Sequence, residues 1–272
     1  MKLGIIGAQN SHSRHFCEVI NKNKKFENVN IAYIYGADDP GECKKLCGDY
    51  CIEECQSEAE LIEKSDAVAV TYRKGSEHYR PVSAALQAGK PVFNDKPFTA
   101  SLDEAKKIAE LAKKTGVPLT GGSSLKGLPG LPKIKKSITP GSTTVISFAA
   151  DPESEYDGYW FYGIHAVEVC LTLCGLDFIS VQSFENNGLV VTNVAYADKL
   201  CILATSPKSN KLMVSVSNGG KTVCREIPMD YSDMGPDEFA DTAKTGNIPR
   251  GYEFYVKSVE LMSKIIGSSG MK

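Results

Sequence analysis

The chain has 272 residues, of which 42% are hydrophobic and 24% charged, and its net charge is −2. That balance gives no electrostatic basis for binding nucleic acid or an anionic membrane, and no apolar run approaches the roughly 20 residues that span a bilayer. At roughly 150 residues per domain, the length predicts two domains.

Lys2 to Ile6 reads as a buried strand, Gly7-Ala8-Gln9-Asn10-Ser11-His12 as a tight turn, and Ser11 to Lys25 as a helix with Phe16, Val19 and Ile20 on one face. A strand, a glycine turn and a helix form the first half of a dinucleotide-binding unit. Gly4 and Gly7 supply two fingerprint glycines, and Asn10, which tolerates left-handed geometry, replaces the third. Val29 to Tyr35 is the second strand. Asp38 follows it where an acidic side chain accepts hydrogen bonds from an adenosine ribose; capping the next helix is the alternative. Cys43, Cys47, Cys51 and Cys55 recur every four residues and read as structural thiols, with no metal assigned. Nine cysteines, and a first strand with no leader pattern before it, suit a reduced, cytoplasmic protein.

Ala67 to Thr71 is a continuous buried strand, and the loop after it carries Tyr72 and His78. Pro91-Val92-Phe93 forms another strand, ending in Asn94-Asp95-Lys96-Pro97. Pro97 keeps Lys96 out of helical geometry, at a strand's carboxyl end, where open α/β sheets bind ligands. Ser101-Leu102-Asp103-Glu104 is a capping box opening a helix to about Thr115, and Val117 to Thr120 is a further strand. Strands alternating with helices predict a doubly wound parallel sheet.

The pattern changes after Gly122. Residues 143–149, 178–184, 200–205, 211–216 and 222–227 read as strands, with a helix over 162–173 and another over 251–266. The expected fold class is α/β: a parallel N-terminal domain, residues 1–122, then a smaller α+β domain, residues 123–272, with an open, mostly antiparallel sheet. Tyr159, Trp160 and Tyr162 precede His165, and Glu168 lies one turn beyond it. Aromatic side chains beside a histidine are expected to line a substrate pocket.

These motifs in order resemble the Gfo/Idh/MocA oxidoreductases: the Gly4-to-Gly7 turn, Asp66 to Thr71 leading to His78, Ala88-Gly89-Lys90-Pro91-Val92, Asp95-Lys96-Pro97 for the usual Glu-Lys-Pro, and Gly163-Ile164-His165. The resemblance implies a Rossmann domain binding NAD or NADP, with Asp38 favouring NAD, and a Lys–Pro bond that is often cis. Cofactor contacts fall to Gly7, Ala8, Gln9, Asn10, Ser11, His12, Asp38, Thr71, Tyr72, His78, Asp95 and Lys96. Catalysis falls to Lys96 and His165, on a small sugar, polyol or related substrate stacked against Tyr159, Trp160 and Tyr162. Subunits are expected to pair as a homodimer or homotetramer through the second sheet. Phe161 stands where the family often has Asp, so Glu168 is assigned to orient the imidazole. A ligand sensor without turnover is the alternative reading.

Overall fold

The computed structural model describes residues 1–229 and 233–271. The chain forms two compact units. The first holds Met1–Gly122 and a later stretch, through Tyr255, that returns to it; the second begins at Ser123 and takes up the chain again at Val256. No helix among the described residues is long and apolar enough to cross a membrane.

The first unit is built on six parallel strands: β1 (Lys2–Ile6), β2 (Asn30–Tyr35), β3 (Glu53–Glu54), β4 (Ala67–Val70), β5 (Val92–Asn94) and β6 (Leu119–Gly121). Their order, β3-β2-β1-β4-β5-β6, reverses direction between β1 and β4. The linking helices are α1 (Ser11–Cys17, running into a π-helical turn over Glu18–Lys22), α2 (Pro40–Tyr50), α3 (Glu58–Lys64), α4 (Tyr79–Gln87) and α5 (Leu102–Thr115). β4 is buried at every position, as a strand covered on both faces must be. Ser101 caps α5 by accepting the Glu104 N–H, as the capping box predicts.

A single boundary at residue 122 leaves out the later return. Helix α8 (Met234–Thr245) places Phe239 against Phe16 and Phe93, with ring centroids 5.9 and 6.0 Å away. All three rings are buried in the core of the parallel sheet. Burying one phenyl contributes about 1.5–3 kcal/mol, enough to draw α8 onto this unit.

The second unit contains α6 (Leu131–Lys135), β7 (Thr143–Ala149), α7 (Trp160–Cys174), β8 (Ser180–Asn186), β9 (Leu189–Ala195), β10 (Leu200–Ser206), β11 (Leu212–Asn218) and β12 (Lys221–Ile227); α9 (Tyr252–Ser269) ends the chain. The sheet order is β12-β11-β7-β10-β9-β8, with only β7 and β10 parallel. β9 is absent from the sequence reading. The Asn187-Gly188 turn before it has φ of 51° and 80°, the left-handed pair that a two-residue hairpin requires. In β7, Thr144, Ile146 and Phe148 are buried and their neighbours less so. Phe184, Leu189 and Val191 remain exposed on the β8–β9 hairpin. α7 is buried almost continuously from Gly163 to Cys174, so the polar face expected around His165 is itself packed inside.

Candidate active site

In the first unit, the turn after β1 starts at Gly7, whose φ is +106°. A Cβ there would come within 2.9 Å of the Tyr72 nitrogen, so the close approach of this turn to the end of β4 requires glycine. Gly4 has a different role from the one expected. It lies in β1, and a Cβ would strike the Leu61 and Ser65 side chains, so it permits α3 to pack on the strand. Asn10 is extended rather than left-handed. Its side chain caps α1 by accepting the His12 N–H at 3.1 Å and donates to Asp95 at 3.0 Å.

Asp38 does accept hydrogen bonds, but from the turn itself. Its carboxylate takes the Ala8 N–H at 2.9 Å and the Gln9 N–H at 3.0 Å. Two N–H groups of the turn before α1 thus converge on an anion. Asp39, the next residue, caps α2 by accepting the Glu42 N–H. Asp38 also borders a cavity of about 430 Å³, with Ala37, Tyr72, Ser76 and Arg80 among its other walls.

Two residues expected at the cofactor are buried supports instead. Thr71 donates to main-chain carbonyls at the end of β1 and meets Ser13 Oγ at 2.9 Å, fastening the turn to β4. His78 is fully buried, its Nε2 held 2.9 Å from the Tyr72 carbonyl. Burial pushes its imidazole below the usual range, which suits a neutral ring holding the loop after β4. Tyr72 donates its hydroxyl to Glu58 at 2.8 Å, so only part of its ring reaches the cavity.

At the end of β5, Asp95 and Lys96 are both buried, with 2% and 3% exposure. The Lys96–Pro97 bond is cis. Asp95 meets His12 Nδ1 at 2.7 Å. Burial works to raise the Asp95 carboxyl, but His12 and the Lys96 ammonium outweigh it and hold the group down at about 2. Burial pushes Lys96 down to about 8, while Asp95 opposes that shift and Arg73 adds to it. A buried lysine near neutrality, beside an ionised carboxylate, can donate a proton or a hydrogen bond without the hydration of a surface amine.

The second unit contributes a separate group. His165 Nδ1 lies 2.6 Å from Ser123 Oγ, and Ser123 donates its N–H to Glu168 Oε2 at 2.9 Å. Ser123 also accepts the Leu125 N–H, which fixes its rotamer. Glu168 is therefore linked to His165 through Ser123, a residue the sequence reading passed over as linker. The Phe148 and Tyr162 rings flank the imidazole at 5.7 and 5.3 Å. Both rings also line a cavity of about 630 Å³, together with Tyr156 and Phe161, and with Asp151, Glu153 and Glu155. Phe161 packs between Tyr156 and Tyr162, so the position expected to carry Asp completes an aromatic wall. Tyr159 is not on that wall. It is 2% exposed, its ring fills the space beside Gly163, and its hydroxyl pairs with Thr205. Trp160, half-buried, opens α7 outside the cavity lining.

Residues 1–123 match the model of the Gfo/Idh/MocA oxidoreductases, described as an oxidoreductase family with an NAD-binding Rossmann fold. The first unit belongs to this family. An uncharacterized oxidoreductase of Schizosaccharomyces pombe is 51% identical over 43 residues, 16% of this chain and 12% of that protein. An uncharacterized protein of Saccharomyces cerevisiae is 39% identical over 57 residues, 21% of this chain and 16% of its own length. These matches therefore span well under two thirds of either relative. Solved structures of similar fold cover almost the whole chain. GenD2 from gentamicin A biosynthesis, in complex with NAD, has a TM-score of 0.84 at 14% identity, covering 99% of this chain and 94% of its own. UDP-N-acetylglucosamine 3-dehydrogenase from Acidithiobacillus ferrooxidans has 0.80 at 13% identity, with 99% and 97% coverage. Biliverdin reductase from Synechocystis, in complex with biliverdin and NADP+, has 0.77 at 14% identity, with 99% of both chains covered. At these identities the likeness establishes the fold.

Proposed function

We propose that this Gfo/Idh/MocA protein is an NAD(P)-dependent dehydrogenase acting on a carbinol carbon of a small sugar-like or polyol substrate. The observation that carries the reading is Lys96. A buried ammonium titrating near 8 at the carboxyl end of β5 is costly to keep unless it acts on a ligand.

The first unit fits a dinucleotide. The N–H groups of the Gly7 turn already converge on a carboxylate, and Asp38 on the border of the adjoining cavity is placed to accept ribose hydroxyls. Asp38 repels a 2′-phosphate, which favours NAD. When bound, the nicotinamide supplies the hydride chemistry. Lys96 donates a hydrogen bond to the substrate oxygen and favours its alkoxide-like charge. In the second unit, His165, anchored through Nδ1 at Ser123, is the candidate general base. The aromatic wall of Tyr156, Phe161 and Tyr162 suits the flat face of a ring. The carboxylates of Asp151, Glu153 and Glu155, with no lysine or arginine among the cavity walls, disfavour phosphorylated and carboxylated substrates.

The sensor reading draws support from Phe161 in place of an acid and from Asp38 already seated on the turn. NAD+ reduction followed at steady state across a panel of neutral sugars, amino sugars and polyols separates the two. Sustained turnover with at least one member is expected, together with no turnover on sugar phosphates. NADH binding without turnover on any member rejects the enzyme in favour of the sensor.

A further inference from the structure

Three cysteines of the second unit meet inside it. Cys170 and Cys174 stand one turn apart on α7, and Cys201 is an inward-facing residue of β10. Their sulfurs all lie within 4.8 Å of one another, and their exposures are 0%, 4% and 0%. All three are free thiols. A buried cysteine alone is ordinary packing. Three sulfurs converging from two separate elements form a preassembled soft donor set.

Polar groups surround the sulfurs. The Tyr196 hydroxyl is 3.6 Å from Cys170 Sγ and donates to the Gly175 carbonyl. Thr144 is fully buried, and its hydroxyl acts on the Cys174 sulfur. Lys199 acts on Cys174 from the next turn of chain, over the Tyr196 ring.

We propose that Cys170, Cys174 and Cys201 form a binding site for a soft, thiophilic metal cation. Metal–thiolate bonds of about 2.3 Å place three sulfurs roughly 4 Å apart around one ion, so a small contraction of the cluster suffices. Cu(I) is satisfied by three soft donors, while Zn(II) would take the Thr144 hydroxyl as a fourth ligand. Each thiol that coordinates releases its proton, and no electron is transferred. The other thiol-containing group, Cys43 and Cys47 with Glu54, is partly exposed and less suited to exclude water. It serves as the internal control.

The test uses the full chain, expressed in medium supplemented with zinc or with copper and purified under reducing conditions without chelator. Stoichiometric metal should survive gel filtration in at least one of the two preparations, with a sulfur-to-metal charge-transfer band in the ultraviolet. Cys201→Ala and Cys174→Ala should reduce retention to background, while Cys47→Ala and Cys224→Ala should not. Because a core variant can fail to fold, thiol alkylation of the unmutated protein gives a second measurement. Cys170, Cys174 and Cys201 should be protected with metal bound and react after chelator is added. Absence of bound metal in both preparations, retention unchanged in Cys201→Ala, or loss confined to Cys47→Ala would each overturn the proposal.

Discussion

Lys96→Met should reduce turnover by a factor on the order of 10²–10³, the scale of losing one preorganised donor at a developing charge. Methionine keeps the length of the side chain and removes its charge. NADH affinity should change little, because the lysine is assigned to the reacting end. The pH dependence supplies an independent check. Lys96 acts as the ammonium, and burial places its titration at about 8. Activity should therefore fall as pH rises through that value, and this alkaline limb should be missing from the variant. Burial disfavours the charge but the Asp95 carboxylate beside it favours it, so thermal melting is recorded to show that Lys96→Met is folded. A variant that melts normally yet keeps full turnover would remove Lys96 from the mechanism.

His165→Asn should lose turnover by a factor on the order of 10²–10⁴, as expected for a general base. Asparagine preserves a polar group near Ser123 but cannot take the proton. Ser123→Ala tests the anchoring of the imidazole, since only the hydroxyl is lost and the N–H to Glu168 remains. It should lower kcat by less than His165→Asn, with KM nearly constant.

Much of the first unit is legible in the chain. β1, β2, β4 and β5 are short apolar runs closed by turn residues, and Ser101-x-x-Glu104 marks the start of α5. Lys96 is legible because a following proline and a preceding buried strand fix its place. What the residues do locally is harder to read. Asp38 has the expected chemistry, but its partners lie about thirty residues away in a turn whose shape comes only from the fold. Thr71 and His78 stand at the right end of the sheet, yet their side chains are consumed in holding loops. α8 escaped because Gly235-Pro236 reads as a turn, although proline is tolerated in a helix's first turn. β9 carries its own signal in the two-residue turn Asn187-Gly188. Ser123 carried none: after Gly121-Gly122 it reads as linker, and only the packing of α7 brings it to His165. The cysteines show the same limit. A regular spacing singled out Cys43 to Cys55, where Cys51 is exposed at a helix end, while the tightest cluster joins residues from separate elements.

The most direct test of the central claim is amide hydrogen exchange of the wild-type protein with and without saturating NADH, read peptide by peptide. The account predicts slowed exchange in the segment from Gly7 to Ser13 and around Asp38, with smaller protection near Lys96. Protection elsewhere in the chain with none at the Gly7 turn, or no protection at all, would contradict it.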